Sequence, residues 1–143
     1  MSPRWNPSPD VRRGRHVVYN LHVHLVFVTK YRRGAMTDEI LTRCEEIMKE
    51  VCTDFEAELK QFNGEADHVH LLVYYPPKVQ LSKLVNSLKG VSARLLRKEY
   101  DSHIRRYLWG GHFWSGSYFA GSCGGAPVTV VKQYIEDQKR PVS

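Results

Sequence analysis

Residues 56–77, "EAELKQFNGEADHVHLLVYYPP", decide how this chain folds. Two short runs suited to extended structure, 56–63 and 68–75, flank the turn-forming "GEAD". Pro76 and Pro77 end the second run, because proline cannot donate to a sheet ladder. A hairpin therefore stands mid-chain, with helical patterns on both sides. Upstream, Ile40, Leu41, Cys44, Ile47, Met48 and Val51 recur at helical spacing. Thr37 is placed to cap that helix, with Asp38 and Glu39 in its first turn. Downstream, residues 80–100 carry Leu81, Leu84, Val85, Leu88, Val91, Leu95 and Leu96, a second amphipathic helix.

Outward from this centre, residues 17–30, "VVYNLHVHLVFVTK", alternate and are rich in β-branched and aromatic types, which predicts the first strand. "YLWGGHFWSGSYFAGS", 107–122, mixes aromatics with glycines and predicts a bent or bulged final strand. "GSCGGAP", 121–127, reads as a hinge, and 128–140 as a last helix. The order is β-α-β-β-α-β-α. Its first six elements are the split β-α-β, ferredoxin-like order, also that of RRM domains. The expected fold class is α+β: a four-stranded antiparallel sheet, helices on one face and an added C-terminal helix. Residues 1–16, "MSPRWNPSPDVRRGRH", read as a flexible basic N-terminal arm, and 17–143 as one domain.

Formal net charge is +6, which favours polyanionic partners, nucleic acid first. No apolar run approaches the roughly 20 residues of a membrane helix, and the N-terminus has no secretory signal. Cys44, Cys52 and Cys123 form no CxxC pair, and an odd count suits no closed disulfide set. A reducing cytoplasm without a membrane is the expected setting.

Two stretches carry an HxH pair: "HVHL" at 22–25 and again at 68–71. Strand alternation turns both imidazoles of a pair to one side, ~6.5 Å apart at Cα, so either pair can converge on a cation. Spacing alone leaves both pairs open, and leaves open that neither binds metal. A protein metal site usually needs a third donor. On the last helix Tyr134 and Gln138 lie one turn apart on one face, ~6 Å along the axis, so they can supply a nucleophile and a ligand if brought over such a pair.

"DHVHLLV", "LSKLVNSLKGVSARLLR", "LWGGHFWSGSYF" and "VVKQYIEDQ", in this order, resemble successive blocks of the single-tyrosine HUH transposases of the IS200-like group. "YNLHVHLVFVTKYRR" resembles that family's first strand. The similarity covers about residues 17–139. It implies an enzyme that cleaves and rejoins the ends of small insertion sequences as single-stranded DNA, through a 5′-phosphotyrosine. It implies that the HUH pair is His68 and His70, with His24 structural or near DNA. It implies that His68, His70 and Gln138 hold one divalent ion, Mg²⁺ or Mn²⁺, and that Tyr134 is the nucleophile. It further implies a homodimer whose sites can combine the histidines of one subunit with the tyrosine helix of the other, and recognition of end hairpins.

Candidate DNA contacts are Lys30, Arg32 and Arg33 after the first strand and Lys89, Arg94 and Arg97 on the second helix, since basic side chains position phosphates. Arg4, Arg12, Arg13 and Arg15 of the arm add charge. Tyr31, Trp109, Phe113 and Trp114 are candidates both for stacking on bases and for core packing. Two other readings stand beside the transposase: a repeat-associated HUH protein that processes genomic palindromes, and a non-catalytic ferredoxin-like nucleic-acid-binding module.

Overall fold

Along residues 22–28, Val23, Leu25 and Phe27 point to one side of the strand, while His24, Val26 and Val28 point to the other. Both faces must be covered, since Val26 and Val28 are as buried as Leu25 and Phe27. The computed structural model describes residues 12–13, 18–122 and 128–138. Its elements are β1 (Arg12–Arg13), β2 (Val18–Tyr19), β3 (His22–Val28), α1 (Asp38–Asp54), β4 (Glu58–Glu65), β5 (His68–Tyr74), α2 (Leu81–Glu99), α3 (Asp101–Ile104), β6 (Phe119–Gly121) and α4 (Val128–Asp137). Strands β3 to β6 form one antiparallel sheet in the order β4-β5-β3-β6. With β3 counted first, that is the ferredoxin-like arrangement the sequence predicts. β1 and β2 form a separate two-residue ribbon. Most of the arm, including Arg4 and Arg15, most of the 121–127 hinge with Cys123, and residues 139–143 lie outside the described residues.

Helices α1 and α2 cover the inner face. Ile40, Cys44, Ile47 and Met48 of α1 and Leu84, Val85 and Leu88 of α2 pack with Leu25, Phe27, Val69 and Leu71 in the main core. Thr37 caps α1, its side chain accepting from the Ile40 N–H at 3.2 Å. Arg43 clamps the two helices with a two-pronged contact to Glu99 at 2.8 and 3.0 Å. Burial pushes the thiols of Cys44 and Cys52 up to about 12, so they are packing groups. Helix α4 lies on the opposite face, with Val131 and Ile135 packed on Val26 and Val28. No helix among the described residues is long and apolar enough to cross a membrane.

The first and last predicted strands differ from expectation, and a short ribbon strand β1 and a one-turn helix α3 are added. The first strand is interrupted at Asn20–Leu21, leaving β2 separate from β3. The predicted strand over 107–122 shrinks to β6 and one isolated bridge between Thr29 and Trp114. The reason is core demand: Phe113 and Trp114 are buried, and the Trp114 indole N–H donates to buried Ser92 of α2 at 3.0 Å. Gly110, at φ +71°, supplies the left-handed turn before them.

Candidate metal and nucleophile site

The outer face of β5 presents His68 and His70, with ring centroids 4.9 Å apart and planes at 80°. Each has its Nδ1 engaged. His68 Nδ1 lies 2.7 Å from Asp67 Oδ1, and His70 Nδ1 lies 3.2 Å from His24 Nε2. That leaves both Nε2 atoms for a ligand, the arrangement second-shell partners give to metal-binding imidazoles. Glu65 is the cross-strand neighbour of His68, and its carboxylate lies 3.7 Å from His68 Nε2. Glu65, Asp67 and His68 offer ligand atoms all within 4.8 Å of one another. Asp67 Oδ1 is held by His68, which leaves His68 Nε2 and the Glu65 carboxylate as the outward donors of that group, with the His70 ring 4.9 Å from that of His68. That mixture of nitrogen and oxygen donors can hold a divalent cation.

An ion chain ties this group to α4. Asp67 Oδ2 accepts from Arg32 Nε at 2.7 Å, and Arg32 Nη1 reaches Glu136 of α4 at 3.4 Å. Arg32 is aimed there by a turn in which Tyr31 and Arg32 both take left-handed φ, +56° and +57°. Non-glycine residues rarely do so, at about 1–3 kcal/mol each, unless their surroundings hold them. The hold comes from Thr29, whose buried hydroxyl donates to the carbonyls of Arg33 and Asp67 at 2.6 and 3.1 Å. Desolvation works to raise the Asp67 carboxyl, but the hydrogen bonds from His68 and Arg32 outweigh it and hold it below its ordinary value. Burial, reinforced by charge on His68 and His24, pushes the His70 imidazole down to about 4. Burial lowers His24 as well. His70 is therefore neutral at physiological pH, the form a metal requires.

A cleft of about 600 Å³ opens between these histidines and α4, walled on the helix side by Val131, Lys132, Ile135 and Glu136. Tyr134 is on another stripe of α4, with Gln138 one residue past the helix end on the same side, because each residue turns the helix by about 100°. Tyr134 Oη shares a 2.9 Å hydrogen bond with Ser117 Oγ, and its ring lies 6.1 Å from that of Phe119. Ser115 Oγ donates to Gln138 Oε1 at 2.6 Å, and Gln138 Nε2 donates to the Tyr134 carbonyl at 3.3 Å. Burial raises the Tyr134 phenol, partly offset by the Ser117 hydrogen bond. One chain thus brings His68 to His70 and Tyr134 to Gln138, but does not bring the two pairs into one cleft.

The basic candidates divide. Arg32 belongs to the ion chain. Lys89 donates to the carbonyls of Ser115 and Ser117 at 2.8 and 3.2 Å, and Arg97 to those of Leu108 and His112 at 2.8 and 2.9 Å. Arg94 is exposed. Lys30 and Arg33 line a second cavity of about 190 Å³ with Tyr31 and Trp109, and the Arg33 guanidinium lies 4.2 Å over the Trp109 ring. Trp109 is 59% exposed, whereas Phe113 and Trp114 are core residues. His22 is apart from the cluster: its Nδ1 lies 3.1 Å from Asn20 Oδ1. Sequence reasoning did not single out Glu65, Ser115 or Ser117. Reading "GEAD" as a four-residue turn hid Glu65; the structural turn is Ala66–Asp67, which returns Glu65 to β4 opposite His68. The spacing of the serines in "SGS", 115–117, carried no comparable signal.

Comparison with known proteins gives the family and the fold. The family model described as "Transposase IS200 like" matches residues 17–138. The ISDra2 transposase TnpA of Deinococcus radiodurans is 30% identical over 129 residues, covering 90% of this chain and 91% of that protein. The transposase for insertion sequence element IS200 of Salmonella typhimurium is 28% identical, covering 90% of this chain and 84% of its own. A crystal structure of a candidate transposase from Deinococcus radiodurans R1 superposes with a TM-score of 0.80 at 32% identity, covering 91% of this chain and 99% of that one. A REP-associated tyrosine transposase bound to a REP hairpin shares the fold, with a TM-score of 0.54 at 10% identity over 87% of this chain and 68% of that one.

Proposed function

This chain belongs to the IS200-like transposases, and we propose that it cleaves and rejoins single-stranded DNA at element ends with Tyr134 as nucleophile. The observation that carries this reading is the paired imidazoles of His68 and His70, each braced at Nδ1, beside helix α4, which bears Tyr134 and is followed directly by Gln138. His68, His70 and Gln138 are the residues that would hold a divalent cation, Mg²⁺ or Mn²⁺, with Glu65, the cross-strand neighbour of His68, as a further donor. When bound, the cation neutralises charge on the non-bridging oxygens of the scissile phosphate.

The Tyr134 oxygen attacks phosphorus, and the bond to the 3′ oxygen breaks. The products are a 5′-phosphotyrosine and a free 3′-hydroxyl. The 3′-hydroxyl of another end then attacks the same phosphorus and releases the phenol. The number of phosphoester bonds is conserved in both steps, so rejoining needs no nucleotide cofactor. Lys30, Arg33 and Arg94 contact the DNA backbone, and Tyr31 and Trp109 stack on unpaired bases near the end hairpin. Because Tyr134 and Gln138 face Ser117 and Ser115 in their own chain, they meet the histidines of a second copy in a homodimer. The enzyme works in the cytoplasm, where its DNA is.

The test is a denaturing gel of the protein incubated with Mn²⁺ and labelled single-stranded DNA from the flanks of its own gene. Wild type gives a covalent protein–DNA species. Tyr134→Phe binds the same DNA and gives none. An adduct in Tyr134→Phe, or none in wild type on its own flanks, overturns the reading.

A further inference from the structure

The repeated tetrapeptide "HVHL" has a physical use beyond chance. β3 runs beside β5 in a register that pairs Val26 with His70 and His24 with Leu72. His24 is therefore one diagonal step from His70 on the same face, within reach of a ring. The two rings stack with centroids 5.4 Å apart and planes at 19°. His24 Nε2 lies 3.2 Å from His70 Nδ1, and Phe119 closes edge-on against His24 at 6.3 Å. His22 makes neither contact and packs against Tyr74 at 5.2 Å.

A neutral imidazole carries one N–H and one lone pair. When two neutral rings share a hydrogen bond, one donates and the other accepts. If His70 is to turn a lone pair at Nε2 toward the cleft, its proton must be on Nδ1. That N–H points at His24 Nε2, which then accepts and keeps its own proton on Nδ1. Asp67 imposes the same tautomer on His68. The two braces differ in kind: His68 leans on a carboxylate, His70 on a neutral ring, and hydrogen bonds to charged acceptors are the stronger.

We infer that His24 is a positioning residue, which accepts from the Nδ1–H of His70 and so holds the His70 Nε2 lone pair toward the cleft. This inference rests on the reading of His68 and His70 as cation ligands. Imidazole rings otherwise favour the Nε2–H tautomer, which presents a donor where a cation needs a lone pair. His24 thus governs the second histidine of the pair through the Nδ1–H of His70.

The test uses the full chain. His24→Phe keeps the stacked ring and removes the acceptor. His24→Gln places an amide oxygen near the lost Nε2. His24→Asn carries a shorter amide that does not reach. Long-range ¹H–¹⁵N spectra of the metal-free protein at neutral pH report each imidazole tautomer, with His70 assigned by comparison with His70→Ala. Wild type and His24→Gln show His70 as Nδ1–H, whereas His24→Phe and His24→Asn show Nε2–H. Mn²⁺ affinity, measured by calorimetry, falls by about 10-fold or more in the Phe and Asn variants and stays near wild type in the Gln variant. Melting temperatures of the folded variants stay close to wild type, which separates this role from a structural one. Persistence of Nδ1–H at His70 in Phe or Asn, or loss of it in Gln, overturns the inference. If wild type binds no Mn²⁺, the ligand reading fails, and the metal-free spectra still decide the role of His24.

Discussion

His70 is half-buried on β5, and its imidazole is pushed down to about 4, chiefly by desolvation. In the unfolded chain the same group titrates near its ordinary 6.5. Between these values the unfolded state binds a proton that the folded state does not. Stability in the metal-free protein therefore falls as pH drops from 6.5 toward 4, and this contribution is complete above 6.5. Allowing for the partial exposure of the ring, the loss is about 1–2 kcal/mol. The difference in urea midpoint between wild type and His70→Leu, followed from pH 7 to pH 4, isolates it; a difference independent of pH refutes it. At this scale, much of the site was readable from the chain. Strand alternation pairs His68 with His70, and helical spacing pairs Tyr134 with Gln138. Neither rule decides between two HxH pairs. That choice came from family resemblance, and the strand register shows how the two pairs relate: His24 abuts His70.

The β4–β5 hairpin shows how an element is fixed by its neighbours. A Cβ at Gly64 would lie 2.6 Å from Leu41 Cδ2 of α1, 3.0 Å from Val69 Cγ1 and 3.2 Å from the His68 carbonyl oxygen. Gly64→Ala would gain about 0.4–1 kcal/mol from a stiffer unfolded chain, against an overpacking cost of about 1–3 kcal/mol. Overpacking wins, because two of the three contacts are strand atoms with little room to give. Thermal unfolding of Gly64→Ala is expected to show a net destabilisation of about 1–2 kcal/mol; an unchanged or raised melting temperature would mean that α1 yields freely. The helices and the hairpin were legible because their signals are local: periodicity, a Thr37 cap and the Pro76–Pro77 stop. The strand expected over 107–122 is reduced to β6 and one bridge because its aromatics answer to a distant demand. Phe113 and Trp114 fill space under α2, and the buried Ser92 hydroxyl accepts from the Trp114 indole.

In the whole molecule, α4 covers the outer face of the sheet while turning Tyr134 toward Ser117 and away from the histidines. A site shared between two copies predicts complementation. His70→Ala and Tyr134→Phe proteins, each inactive alone, are expected to form the covalent adduct again when mixed, with the DNA on the His70→Ala chain. Chains of different length distinguish the products on a gel. No recovery from a mixture that exchanges subunits would mean that each tyrosine serves its own histidines. By itself, the sequence determined the order of elements, the two helices of the inner face and the residue pairs that share a face, because each follows from repeat distances of a few residues along one element. Only the tertiary structure decided that Glu65 stands opposite His68, that His24 braces His70, that Arg32 links Asp67 to α4, and that Tyr134 rests on a serine. Those contacts depend on strand register and on the rotation of a helix about its axis, where a shift of one residue moves a side chain to another face.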